Sequence, residues 1–113
     1  MVAQGDLWWL ETPNDKRRPV VVVTRNEALS SLNNVVVAPV TSAIRPIPTC
    51  LPVGAPEGLD HDSVANFDQL ASVPKSLLTV RIGNLSSLGH ARLCQALQAL
   101  ADCPAPWSIS PCR

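Results

Sequence analysis

Four consecutive valines, Val20 to Val23, stand directly behind Lys16-Arg17-Arg18-Pro19. A β-branched run with no polar alternation reads as a strand buried on both faces. Pro19 fits the first position of such a strand, where a missing N–H does least harm. Eleven prolines and five glycines favour a turn-rich β protein over a helical bundle. The valine run therefore sets a question. Arg18 stands at the mouth of the core, either as a solvated strand end or as a cation held there to meet an anion.

The chain has 113 residues, enough for one domain. The reading is a single domain over 1–103 and a proline-rich tail over 104–113. Nine basic and nine acidic residues cancel, so a wholesale electrostatic grip on nucleic acid is not indicated and any anion site must be local. No run reaches the length of a membrane span. The start, MVAQGDLWW, lacks the basic and apolar regions of a signal peptide, so a cytosolic protein is expected. Cys50, Cys94, Cys103 and Cys112 should then be reduced, although Cys103 and Cys112 could pair if oxidised. No Cys-x-x-Cys pair is present, which disfavours zinc.

Strand signals recur along the chain. GDLWWLE is a first strand, TPNDK a turn, RPVVVVT a second strand and NVVVAPVTS a third. RNEALSSLNN is a polar connection with room for one helical turn. Pro39 inside the third strand argues for an edge position or a bulge. A short strand is expected around Cys50 to Val53 in an otherwise irregular segment. SVANFDQL reads as another strand, SVPKSLL as a short helical turn opened by proline, and TVRIGNL as the last strand. The convincing helix is SSLGHARLCQALQALADC, capped by Ser86 or Ser87, with Leu93, Ala96, Leu97 and Leu100 on one face. Strands followed by a terminal helix give a mainly β fold, a small, strongly curved antiparallel barrel with a C-terminal helix. Trp8 and Trp9 alternate, so one should be core and the other should face outward.

Much familiar chemistry is missing. There is no phosphate-binding glycine loop, dinucleotide fingerprint or metal-ligand histidine cluster. His61 and His90 are read as solvated, the first in a polar loop and the second on a helix surface. What remains is Arg18 before Pro19, and PVTS at the end of the third strand. A guanidinium suits phosphate because its planar fork donates two parallel hydrogen bonds and stays charged. A threonine at a strand end can donate to the same oxygens.

In order along the chain, GDLWW, RRPVVVVTRN, VVVAPVTSAIR, HDSVANFDQLASVPKSLL and RIGNL with a terminal helix resemble the MazF/PemK/Kid family of bacterial toxin endoribonucleases. The resemblance runs from about Gly5 to Leu100. It implies an SH3-like small antiparallel barrel, a homodimer, and a cognate antitoxin of the MazE type with a partly disordered segment. It implies metal-independent, sequence-specific cleavage of single-stranded RNA, with no cofactor. The RNA's own 2′-hydroxyl would attack the adjacent phosphorus and leave a 2′,3′-cyclic phosphate and a 5′-hydroxyl.

The resemblance places the main catalytic position at Arg18 and a phosphate-binding threonine at Thr41, with Ser42 beside it. Asn66, Asp68 and Gln69 fall in the block that reads bases, and Arg17 and Arg45 are candidate backbone contacts. Two departures stand out. TPNDK is shorter than the loop of many relatives and lacks their Gly-Ser-Glu stretch, and Asn66 stands where the Kid branch has arginine. The rival readings are a gyrase-binding toxin on the same fold, to which Trp107-Ser108-Ile109 bears a superficial likeness, and a degenerate paralogue that binds antitoxin without cleaving RNA.

Overall fold

The computed structural model describes residues 1–101, so the tail, its expected boundary at 103, Trp107–Ile109 and the Cys103/Cys112 pair lie outside the described residues. Cys50 and Cys94 are free thiols. The strands are β1 (Asp6–Leu10), β2 (Arg18–Val22), β3 (Asn34–Thr41), β4 (Cys50–Val53), β5 (Ser63–Asn66), β6 (Ala71–Pro74) and β7 (Leu78–Asn84). Two helices, α1 (Asn26–Leu29) and α2 (Ser87–Ala101), complete the fold, with α1 in the polar connection where one helical turn was expected. Among the described residues no helix is long and apolar enough to cross a membrane.

The valine run behaves as its composition demands. β2 lies between β1 and β3, antiparallel to both. Val21 and Val23 enter one core cluster with Leu7, Ala38, Leu51, Phe67 and Leu93. Val20 and Val22 enter a second cluster with Leu29, Val35, Val37 and Leu78. Successive side chains alternate faces, so one strand feeds both cores. Each buried valine contributes roughly 1.5–3 kcal/mol of apolar transfer.

The sheet runs β4-β5-β3-β2-β1-β7, with β6 also paired to β3. It is mainly antiparallel β with a C-terminal helix, as expected, but the path is open and β4 and β7 at its ends do not pair. Helix α2 supplies the missing cover. Its Leu93 and Ala96 are buried against Leu51, Val53, Phe67 and Leu85, and Leu97 packs at the margin. Leu100, also assigned to that face, is 40% exposed near the helix end. Ser86 caps the helix, its Oγ accepting the Gly89 N–H at 3.2 Å. His90 is half-buried rather than solvated. Its ring packs on Gly5, whose φ of +85° and lack of side chain admit it.

Three further expectations change in detail. SVANFDQL is not one strand: β5 stops at Asn66, Phe67–Gln69 forms a 3₁₀ turn, and β6 resumes at Ala71. Phe67 has to turn into the core, where it is fully buried. Only Lys75–Leu77 of SVPKSLL is helical, because Ser72–Pro74 belongs to β6. Pro39 is not on an edge strand, since β3 is interior. β6 pairs with Asn34–Val37 and β5 with Val40–Thr41, so Ala38 and Pro39 face the interrupting turn and the missing N–H falls at a break in the ladder. The tryptophans do alternate. Trp8 packs against the second core and donates from Nε1 to buried Asp6 at 3.3 Å. Trp9 pairs with Pro19 on the other face.

Candidate active site

Arg18 is the first residue of β2, paired with Leu10 at the end of β1. Thr41 is the last residue of β3. Val20 pairs with Pro39, and carrying that antiparallel register two residues outward sets Arg18 across from Thr41. Both side chains line one cleft of about 230 Å³, together with Arg45, Cys50, Asn66 and Gln69. Five of the eight residues singled out from the sequence therefore converge, although they span 52 positions of chain (Arg18 to Gln69, counted inclusively).

The two principal groups are poised to donate. The Arg18 side chain is 55% exposed, and its Nη2 lies 3.6 Å from Asp15 Oδ2. The short loop thus offers a carboxylate to the guanidinium. An exposed pair of this kind is worth about 0.2–1 kcal/mol, so a phosphate can displace it. Thr41 Oγ1 accepts the Ala43 N–H at 3.2 Å, a local turn that leaves the hydroxyl hydrogen free to donate into the cleft. Among the described residues no carboxylate lines this cleft, whereas two guanidinium groups do.

The remaining predicted residues divide. Asn66 Oδ1 accepts the Asp68 N–H at 2.9 Å and caps the Phe67–Gln69 turn, leaving its amide NH₂ available. Asp68 does not line the cleft. Its Oδ2 accepts a hydrogen bond from the Thr49 hydroxyl at 2.7 Å, and the Phe67 N–H bonds the Thr49 carbonyl at 2.9 Å. Asp68 thereby fastens the end of the 42–49 segment that carries Arg45. Arg17 lies over the Trp9 ring, 4.3 Å from its centroid, in a cation–π contact. Ser42 lines a second cleft of about 670 Å³, which shares Thr41 with the first and is walled by Trp9, Asp60, His61 and Ser63.

His61 was passed over in the sequence as a solvated loop residue, and the fold puts it in that second cleft. Its Nδ1 lies 2.5 Å from Asp60 Oδ1. The available signal was the histidine between two aspartates in Asp60-His61-Asp62. Among the described residues no three His, Cys, Asp or Glu side chains gather as a metal site.

With this geometry in place, comparison with known proteins is specific. Residues 3–101 match the family model described as PemK-like, MazF-like toxin of type II toxin-antitoxin system. A Mycobacterium tuberculosis protein named probable endoribonuclease MazF5 is 35% identical over 103 residues, covering 89% of this chain and 94% of the relative. The solved Mycobacterium tuberculosis toxin MazF-mt6 superposes with a TM-score of 0.81 at 32% identity, covering 88% of this chain and 99% of that one. A mycobacterial endoribonuclease solved in complex with its cognate antitoxin gives a TM-score of 0.82 over 94% of this chain and all of that one. At 22% identity it speaks for the fold.

Proposed function

The chain belongs to the PemK-like, MazF-like toxins of type II toxin–antitoxin systems, and on that premise we propose that it is the toxin of such a pair, a sequence-specific endoribonuclease acting on single-stranded RNA. The observation that carries the reading is the convergence of Arg18 and Thr41, with Arg45, Asn66 and Gln69, on one cleft at the rim of the sheet. The 2′-hydroxyl of the RNA is the nucleophile. It attacks the adjacent phosphorus and expels the 5′-oxygen, leaving a 2′,3′-cyclic phosphate and a 5′-hydroxyl, with no metal in the step. The protein has to orient the nucleotide and neutralise the crowded phosphorane.

Each residue has a role in that scheme. Arg18 donates to the non-bridging oxygens and leaves its pairing with Asp15 to do so. Thr41 donates to the same phosphate from across the strand pair, and Ser42 contacts the neighbouring nucleotide in the second cleft. Arg45 follows the phosphate backbone. The amides of Asn66 and Gln69 offer donors and acceptors to base edges, which in unstacked single strands are open to reading. Asp68 holds the 42–49 segment in place instead of touching RNA. Arg17 acts through Trp9, as part of a flat surface on which a base can stack.

The test is cleavage of long single-stranded RNA by the purified protein with EDTA present, the cut ends mapped and chemically typed. Cuts at one short motif bearing cyclic phosphates are expected. No cuts in diverse RNAs, or cuts that need an added metal, overturn the reading. The gyrase-binding and degenerate alternatives leave the facing Arg18 and Thr41 without a use.

On the same premise we infer a cytosolic homodimer restrained by a cognate antitoxin. Within its apolar β3 run Val35, Val37 and Ala38 are buried in the protomer's cores, while Val36, Pro39 and Val40 stay partly exposed. The outer edge of β7, with Val80 half exposed, is open among the described residues. Light scattering at micromolar concentration should return twice the chain mass, and a single-chain mass overturns the dimer.

A further inference from the structure

The proposed cleavage involves two proton transfers that Arg18 and Thr41 are ill suited to carry. The 2′-oxygen loses a proton as it bonds phosphorus, and the 5′-oxygen gains one. Arginine keeps its proton at any physiological pH, and a threonine hydroxyl does likewise. Along the two clefts that meet at Thr41, the other side chains able to exchange protons among the described residues are Cys50, Asp60 and His61. A thiol is a weak hydrogen-bond acceptor, and the Asp60 carboxylate is 91% exposed, a solvent-facing partner of the imidazole.

We propose that His61 is the general base of the reaction, oriented by Asp60. The inference rests on the endoribonuclease reading above and assigns that site a catalytic group. With Nδ1–H donated to the Asp60 carboxylate, the neutral ring keeps its lone pair on Nε2, the form a base requires. His61 shares its cleft with Thr41 and Ser42, beside the Trp9 wall over which Arg17 lies. Among the described residues, Asp60 is the only charged partner of the ring within the cleft lining, and the other lining residues are uncharged. Asp62 on the same loop is turned toward Gly54.

The loop that carries the ring is anchored at both ends. Buried Ser63 donates from Oγ to the His61 carbonyl at 3.3 Å. Upstream, Glu57 Oε1 accepts the Gly54 N–H at 2.6 Å, and the Glu57 carbonyl presses so closely on Gly83 that no side chain fits there. His61 is thus exposed to substrate while its backbone is fixed.

In the step itself, Nε2 takes the 2′-hydroxyl proton as the 2′-oxygen–phosphorus bond forms. The bond from phosphorus to the 5′-oxygen breaks, and the leaving oxygen takes a proton from water. The imidazolium then returns its proton to solvent. No oxidant, metal or further reactant enters.

The experiment compares wild type, His61→Gln and His61→Ala on a short RNA carrying the mapped motif, with kcat/KM followed from pH 5 to 9. Wild type should lose activity toward acid pH, because a general base must begin the step unprotonated. His61→Gln should fall about a hundredfold and lose that acid limb, the scale of a removed general base. Added imidazole should restore part of the His61→Ala rate, which a purely structural role would not allow. A wild type that cuts, beside a His61→Gln variant with an unchanged rate and acid limb, overturns the assignment and leaves the nuclease reading standing. A wild type that cuts no RNA overturns both.

Discussion

Arg18→Ala is expected to lower RNA cleavage by a hundredfold to a thousandfold and to leave the fold intact. Removing one preorganised donor to a developing anion costs about 2.7–4 kcal/mol of barrier, which sets that range. The stability cost is small for reasons visible around the residue. Its side chain is 55% exposed, and its one ion pair, to Asp15 at 3.6 Å, is worth at most about 1 kcal/mol. Strand β2 is held by Val20 to Val22, which are fully buried beyond the rim. The loss should appear in kcat more than in KM, because the guanidinium is needed most where phosphorane charge peaks. Arg18→Lys should recover only part of the rate, since an ammonium is a point charge and cannot form the paired donor fork. Single-motif cleavage kinetics beside a circular-dichroism melt would decide it. An alanine variant that melts normally and cuts within a few-fold of wild type would return Arg18 to the status of a strand-end cation.

That prediction puts the question set by the sequence to a test, and the residues around Arg18 show what kind of information the sequence held. Val20 to Val23 declared a strand buried on both faces because burial on two sides is written in composition. The helix from Ser87 declared itself by period and by the Ser86 cap, and both are local signals. Asp68 and His61 could not be placed in the same way. The partner of Asp68 is Thr49, 19 residues away, and nothing near either residue announces the bond. His61 is exposed, as read, but its place beside Thr41 follows only once β3 and β5 pair. Barrel closure failed for a related reason. Strand signals do not say which edges meet, and here α2 covers the core in place of a β4–β7 pair. The short loop between β1 and β2 was legible as a loss of residues. That its Asp15 would pair with Arg18 was not, because an i,i+3 contact across a turn depends on the turn's shape.

Phe67→Ala should be the most damaging single substitution in the core, at about 3–5 kcal/mol. Phe67 heads the largest of the fully buried side chains and packs in the cluster that joins Leu51, Ala65, Leu85 and Leu93. It therefore ties the β4–β5 arm of the sheet to α2, the helix that substitutes for barrel closure. A domain of this size holds roughly 5–15 kcal/mol in total, so one truncation removes a large share of it. With about 4–8 °C lost per kcal/mol in small domains, the melting temperature should drop by about 12–40 °C.

The consequence reaches the active cleft. Phe67 opens the turn that interrupts the β5–β6 edge, and that turn sets Asn66 and Gln69 in the cleft and bonds the Thr49 carbonyl. Below its lowered melting point, the variant should lose discrimination between RNA motifs more than it loses Arg18-dependent chemistry, because the turn itself carries Asn66 and Gln69 whereas Arg18 sits on β2, two strands away from β5. Phe67→Leu, which keeps most of the volume, should cost about 1–2 kcal/mol and retain motif preference. Thermal unfolding of both variants, followed by cleavage of paired substrates that differ at one base of the motif, separates the two effects. An alanine variant that melts within a few degrees of wild type would mean that the turn, and not its buried ring, holds the β5–β6 edge to the helix.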